Sequence, residues 1–219
     1  MPQENFALIL LGGPLQDDAS VFEFASKANL ILCADSGADH ARKLGLPVDA
    51  IIGDLDSVAP ETLQHFDNQK NPKCEIIQIS DQEHNDFEKA LIYLSGKWNG
   101  SVRIIGMTGG RIDHTLSNFS VMLRYTDTFS SIESFDGEFS HSFLTTEKNH
   151  RSFECPFGTT ISLMPFGEAL GITTKNFQYP LSNETLRLGY REGLSNISTA
   201  SPVTISIESG ALLVSVRNA

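Results

Sequence analysis

Cysteine is scarce in this 219-residue chain: Cys33, Cys74 and Cys155 stand far apart and form no Cys-x-x-Cys pair. That spacing argues against both a disulfide framework and a thiolate zinc site. Positive charge is also short, with 16 Lys and Arg against 27 Asp and Glu and a formal net charge of -11. Long polyanions such as DNA or RNA are poor partners for such a chain, because binding them rests on Lys and Arg neutralising phosphates. A small anion screened by a divalent metal remains compatible, and a cationic substrate is favoured. No apolar run approaches the roughly 20 residues that span a bilayer. The opening MPQENFALILLGGPL has no basic segment before its apolar run and no small-residue cleavage pattern after it, so no signal peptide is expected and a cytoplasmic location is the default. Also missing are the Gly-x-Ser-x-Gly elbow, the Gly-x-x-x-x-Gly-Lys phosphate loop and the Gly-x-Gly-x-x-Gly dinucleotide turn. Cys33 lies in an apolar stretch with no evident base, which gives nucleophilic catalysis little support.

What is present is a regular alternation of short apolar runs and helical patterns over the first part of the chain. Strands are predicted at 6–11, 30–34, 50–53, 75–79 and 102–106, and helices at 19–28, 38–44, 60–69, 85–95 and 113–125. Strands that are apolar throughout, alternating with helices, predict an α/β domain with a parallel sheet covered on both faces. After about residue 137 the helical period disappears. Short alternating strands are expected at 138–145, 159–164, 170–173, 185–188, 194–198, 203–207 and 211–216, between Gly, Pro and Asn turns, which is the pattern of a small antiparallel sandwich or barrel. The expected division is therefore 1–137, an α/β domain, and 138–219, an antiparallel β domain.

Ligands of open parallel sheets bind beyond the carboxyl ends of the strands. That rule gathers Gly12-Gly13, CADSGAD, GDLDS, SDQEHND and GMTGGRIDH onto one rim. Within GDLDS, a strand period of two would point Asp54 and Asp56 to the same side, and converging charges need a cation. Asp35, Asp54, Asp56 and Asp86 together are hard oxygen ligands of the kind Mg²⁺ takes alongside water and phosphate oxygens. Taken singly, each also reads as an ordinary acidic turn, or for Asp86 as a carboxylate at a helix start that Ser80, Asp81 or Asn85 would cap. In TGGRIDHTLSN, two glycines precede Arg111 and a helix start, an arrangement in which backbone N–H groups and a guanidinium hold phosphate oxygens. His114, in the first turn of that helix, suits a hydrogen-bonding role more than proton transfer. His40, His65, His84, His141 and His150 show no metal spacing and are expected at the surface; Trp98 is expected to pack at a turn.

In order along the chain, ADSGAD (34–39), IIGDLDS (51–57), DQEHNDFEKAL (81–91), GGRIDHTLSN (109–118), YPL (179–181) and GLSN (193–196) resemble the thiamine pyrophosphokinase family over nearly the whole length. The resemblance implies a nucleotide-binding α/β domain over 1–137 followed by a thiamine-binding β-sandwich over 138–219, and transfer of a pyrophosphoryl group from ATP to the hydroxyl of thiamine, giving AMP and thiamine diphosphate, with Mg²⁺ and in a homodimer. It implies Asp54, Asp56 and Asp86 as the Mg²⁺ and ATP-phosphate cluster, with Asp35 at the same site. Gln82 and Arg111 correspond to nucleotide or phosphate contacts, and Asp113 to a polar residue near the substrates. Ser195 and Asn196 correspond to thiamine-pyrimidine contacts, and Tyr179 to an aromatic that packs on thiamine from the partner subunit. The chain departs from the family pattern at Glu83-His84-Asn85-Asp86, where Asn85 replaces the usual threonine, and at Asn176, where glycine is common. Two other readings share these residues: a Mg²⁺-dependent transferase acting on another alcohol, and a non-catalytic nucleotide or thiamine sensor.

Overall fold

The structure, a computed structural model, describes residues 5–67 and 74–218. The chain divides into two compact units, Met1–Gly137 and Glu138–Ala219. The first contains β1 (Phe6–Leu10), α1 (Asp18–Ala25), β2 (Leu30–Ala34), α2 (Gly37–Leu44), β3 (Ala50–Gly53), α3 (Pro60–Phe66), β4 (Glu75–Gln78), α4 (Asp86–Ser95), β5 (Ser101–Ile105), α5 (Ile112–Tyr125) and β6 (Ser131–Phe135). Its strands lie in the order β4-β3-β2-β1-β5-β6 and every pairing among them is parallel. All of β1 and β3 is buried, as a sheet covered on both faces requires. Leu8, Leu10, Ile31, Cys33 and Ile51 pack there with Ala38 and Ala41 of α2, whose small side chains let the helix lie close to the sheet. From β1 the strand order runs outward through β2 to β4 on one side and through β5 and β6 on the other. The switch point, where a crevice opens at the strand ends, therefore falls between β1 and β5.

Local chemistry sets the helix ends. Asp17 caps α1 by accepting from the backbone N–H groups of Ala19 and Ser20. Gly45 closes α2 in the left-handed conformation at φ 65°. The helix expected over 60–69 ends at Phe66, and residues 68 and 69 lie outside those described. Strand β6 was not expected. Its SIESF sequence buries only Ile132 and Ser134, too weak an alternation to stand out among serines.

The second unit contains β7 (Phe139–Thr145), β8 (His150–Phe153), β9 (Thr160–Lys175), β10 (Glu184–Arg187), β11 (Gly193–Ile197), β12 (Val203–Ser206) and β13 (Ser209–Arg217). All its pairings are antiparallel: β13 with β7 and β9, β9 with β10, β11 and β12, and β12 with β8. The strands expected at 159–164 and 170–173 are one 16-residue strand. Gly167, in the expected turn between them, and Gly171 take φ values of 82° and 65° inside the strand. The register of β9 shifts against both β10 and β13, so these glycines bend the strand without ending it. Strand β8 was also not anticipated. Ile161, Leu163, Ile172, Leu186, Ile205, Leu212 and Val214 fill the core of this unit. His141, expected at the surface, is buried in β7 and hydrogen-bonds Ser215 Oγ at 2.8 Å. Asn176 takes φ 66°, the left-handed backbone that asparagine tolerates better than other substitutes for glycine. No helix among the described residues is long and apolar enough to cross a membrane.

Candidate active site

The acidic rim is built by the two chain segments that leave β2 and β3. Directly after β2, Asp35 turns into the left-handed region at φ 47°, with its N–H still bonded to the Ile52 carbonyl at 2.9 Å. The residue is only 6% exposed, and its Oδ1 is buried without a hydrogen-bond partner. After β3 ends at Gly53, Leu55 also adopts a positive φ, 66°, which is costly for a bulky side chain and occurs where surrounding structure enforces it. Asp54 and Asp56 flank this residue beyond the end of β3, so the period-two geometry expected of them does not describe their convergence on Asp35. Asp56 N–H donates to Asp54 Oδ1 at 3.2 Å, and Ser57 Oγ donates to Asp56 Oδ1 at 2.9 Å. Asp35, Asp54 and Asp56 then each offer one carboxylate oxygen, all within 4.8 Å of one another. Gly53 permits this approach, since a Cβ there would stand 3.1 Å from both Asp35 Cβ and Asp86 Oδ1.

The electrostatics follow from that geometry. Burial pushes the Asp35 carboxyl above the usual carboxylate range, and the nearby charges of Asp86, Asp54 and Asp56 push it further. Three converging carboxylates, one with an orphaned buried oxygen, suit a hard divalent cation. Asp86, at the start of α4, stands beside this trio but outside it. Its Oδ1 accepts from the Asp54 backbone N–H at 3.3 Å and from Lys89 Nζ at 2.9 Å. Lys89 is only 3% exposed, so part of the negative charge is answered from within the protein. Sequence reasoning missed Lys89; the available signal was a lysine three residues after Asp86 on the helix face that buries Ala90 and Leu91.

Other acidic residues of the rim motifs have structural work. Asp39 accepts from Thr62 Oγ1 and, at 3.3 Å, from the Ala59 N–H, fixing α2 against the start of α3. Asp81 pairs with His84, whose pKa that hydrogen bond raises, and accepts from Glu83 N–H at 2.8 Å. Gln82 is exposed and lines a cavity of about 450 Å³ with Asp54, His84, Lys89 and Arg124.

At the switch point lies a cavity of about 310 Å³, lined among others by Gly12, Gly13, Asp35, Asn85, Asp86, Gly106, Gly110, Arg111, His114 and Asn118. Its floor is the crossing of the loops after β1 and β5, where Gly13 N–H bonds Gly106 O at 2.9 Å. A Cβ on Gly13 would sit 2.3 Å from that oxygen, so the backbones meet only because the side chain is absent. Arg111 stands at the N-cap position of α5, 72% exposed, and forks onto Asp113 through Nη2–Oδ2 at 2.5 Å and Nε–Oδ1 at 3.1 Å. This pairing, the largest influence on Asp113, holds its carboxyl down at about 2. Because the folded-state value lies below the ordinary 3.8, the pair's contribution is present above that value and is lost only as pH falls through about 2. An NMR titration should find Asp113 ionised at pH 3, and Arg111→Gln should return it to the ordinary range; an unchanged titration would mean that the fork does not form.

The candidate thiamine residues lie in the second unit. Tyr179 is 66% exposed. Asn196, near the middle of β11, is 8% exposed: its Oδ1 accepts from the N–H groups of Tyr179 at 3.1 Å and Ile197 at 2.9 Å, and its Nδ2 donates to Tyr179 O at 2.7 Å. Its amide therefore brackets the Tyr179 backbone and sets where the ring projects. Ser195 is exposed, takes φ 54°, and donates its N–H to Ser162 Oγ at 2.9 Å.

Two family models match this chain: thiamin pyrophosphokinase, catalytic domain, over residues 22–133, and thiamin pyrophosphokinase, vitamin B1 binding domain, over 141–212. The chain belongs to the thiamine pyrophosphokinase family. It is 28% identical to thiamine pyrophosphokinase 2 of Oryza sativa subsp. japonica, covering 99% of this chain and 88% of that one. Against thiamine pyrophosphokinase of Bacillus subtilis (strain 168) it is 27% identical, covering 94% and 95%. The crystal structure of the Bacillus subtilis thiamine pyrophosphokinase superposes with a TM-score of 0.81 at 25% identity, over 98% of this chain and all of that one. Thiamin pyrophosphokinase from Candida albicans, at 15% identity and a TM-score of 0.83 over 99% and 90%, shows the same fold. Among thiamine pyrophosphokinases, this chain is thus a mixed α/β protein that carries both parallel and antiparallel strands.

Proposed function

We propose that this protein transfers the pyrophosphoryl group of ATP to the hydroxyl of thiamine, releasing AMP and thiamine diphosphate, as a cytoplasmic Mg²⁺-dependent enzyme. The observation that carries the reading is the convergence of Asp35, Asp54 and Asp56 beside a glycine-floored cavity at the switch point of the sheet. Matches to both a catalytic and a vitamin B1 binding family model support it, and the free state of the three cysteines suits a reducing compartment. The first unit is assigned the nucleotide chemistry. The second, read as a β-sandwich, is assigned thiamine.

Asp54 and Asp56, with Asp35 and with the Asp86 oxygen that Lys89 leaves free, are the residues that would hold Mg²⁺. When bound, the ion supplies neutralisation of phosphate charge. In the transfer, the thiamine hydroxyl oxygen forms a bond to the β-phosphorus in line with the β-phosphorus bond to the α,β-bridging oxygen. That bond breaks, and AMP leaves with the oxygen. The hydroxyl proton goes to one of the rim carboxylates, Asp35, Asp54, Asp56 or Asp86. Backbone N–H groups at the start of α5 and the Arg111 guanidinium meet phosphate oxygens, and Arg111 can exchange its fork on Asp113 for them. The acidic rim also attracts the thiazolium cation of the acceptor.

Tyr179 is proposed to stack on thiamine across the interface of a homodimer, with its backbone held by Asn196 and with Ser195 beside it. Tyr179→Ala should raise the KM for thiamine roughly fivefold, about 1 kcal/mol of lost stacking, with kcat nearly unchanged; an unaltered KM would remove Tyr179 from the site. The assignment as a whole is tested by following AMP and thiamine diphosphate from ATP, thiamine and Mg²⁺, with EDTA as control. Equimolar products that vanish with EDTA support it. Binding of both substrates without AMP formation would favour a sensor, and turnover only with another alcohol would change the acceptor.

A further inference from the structure

We infer that Asn85 and Asn118 are positioning residues that lock the acidic wall of the active-site cavity to its glycine-arginine wall through a relay of side-chain amides. The inference rests on the pyrophosphoryl-transfer reading for its kinetic consequence, though not for its structural one.

The orientation of each amide follows from what it must face. Asn85 is the N-cap of α4, and its Oδ1 accepts from the Glu88 backbone N–H at 2.9 Å. Only an oxygen can take that donor, so Nδ2 is turned toward α5. There it donates to Ser117 Oγ at 3.2 Å and to Asn118 Oδ1 at 3.4 Å. Asn118 is fixed from its other end: its Nδ2 donates to the Met107 carbonyl at 3.2 Å, and a carbonyl accepts only. The two amides therefore agree on one direction, from Asn85 through Asn118 to Met107 O, with every donor facing an acceptor. A second tie between the same helices runs from Arg124 and Tyr125 of α5 to the buried Glu88 of α4.

The relay joins parts that the strand order alone leaves independent. Asn85 immediately precedes Asp86, which touches the Asp54 backbone. Met107 lies in the loop after β5 that carries Gly109, Gly110 and Arg111. Asn85, Met107 and Asn118 all line the cavity, so the three side-chain hydrogen bonds run directly between its two walls. A threonine at position 85 would still cap α4 but has one hydroxyl and no amide, so it could not hold Asn118 in the same way.

The test compares Asn118→Asp, Asn85→Thr and the double variant. Asn118→Asp keeps size and shape but replaces the donor that faces Met107 O with an acceptor, and Asn85→Thr keeps the cap. Each single variant is expected to fold with a near-native melting temperature and to lose between about tenfold and a hundredfold in kcat/KM for ATP, the size of effect expected from misplaced reacting groups. The thiamine KM should hardly change. The double variant should lose no more than the worse single, because either change breaks the same relay. Amide hydrogen exchange over residues 107–110 should speed up in both singles without substrates, and this readout separates the relay from the reaction: faster exchange in an enzyme that proves inactive toward thiamine would sustain the relay and overturn the kinetic reading alone. Unchanged exchange, or losses that multiply in the double variant, would overturn the relay. Should Asn118→Asp fail to fold, Asn85→Thr alone decides between the same two exchange outcomes.

Discussion

Asp54→Asn and Asp56→Asn should each lower kcat for AMP formation by roughly 10³-fold or more, about 4 kcal/mol of transition-state stabilisation, with the melting temperature unchanged or raised. The direction of the stability effect separates a catalytic role from a structural one. Asp35, Asp54 and Asp56 bring three carboxylate oxygens within 4.8 Å of one another, an arrangement that repels itself without a cation. Removing one charge relieves that repulsion in the free protein. It also takes a ligand from whatever cation the cluster holds. Asp39→Asn should behave in the opposite way, with turnover retained and stability lowered by about 1 kcal/mol, since Asp39 joins α2 to α3 through Thr62 and Ala59. Turnover within tenfold of the parent in both rim variants would contradict the assignment.

The second large effect is expected from Gly13→Ala. A methyl group there would stand 2.3 Å from Gly106 O and 2.9 Å from Thr108 O, both backbone atoms that cannot rotate away. The loops after β1 and β5 would have to separate, at a cost of about 1–3 kcal/mol in stability. The same loops floor the cavity, so ATP affinity should fall at least tenfold in calorimetry. Gly110→Ala is the control on the same cavity. Its nearest neighbour would be Pro14 Cδ at 3.9 Å, ordinary contact, and its backbone is not in the left-handed region. Near-parental ATP affinity in Gly13→Ala would mean that the crossing of the loops does not shape the nucleotide site.

Much of this was legible in the residue pattern because two strong periodicities carry it. Runs such as FALIL and AIIG are apolar throughout, which suits strands buried on both faces and little else at that length. The acidic rim was legible through topology, since the ends of successive parallel strands must share an edge. The path that brings Asp54 and Asp56 together was not: both lie beyond the end of β3, around a Leu55 in positive φ, a conformation that leucine itself does not advertise. Positive φ also explains the missed continuity of β9, where Gly167, read as part of a turn, bends the strand without ending it. The separation of Asp39 and Asp81 from the trio depended on partners far away or unremarkable, Thr62 and His84, that only a folded chain supplies. Lys89 and Asn118 escaped notice for the same reason, because a buried lysine and a bridging amide are defined by what faces them.

The central claim is that the aspartates leaving β2 and β3 bind a divalent cation together with the ATP phosphates. Its most direct test is calorimetric titration of Mg²⁺ into the protein carrying a non-hydrolysable ATP analogue, for the parent and for Asp54→Asn/Asp56→Asn. The account predicts saturable binding in the parent, weakened at least tenfold in the double variant while the analogue still binds. Equal Mg²⁺ affinity in the two proteins would contradict it.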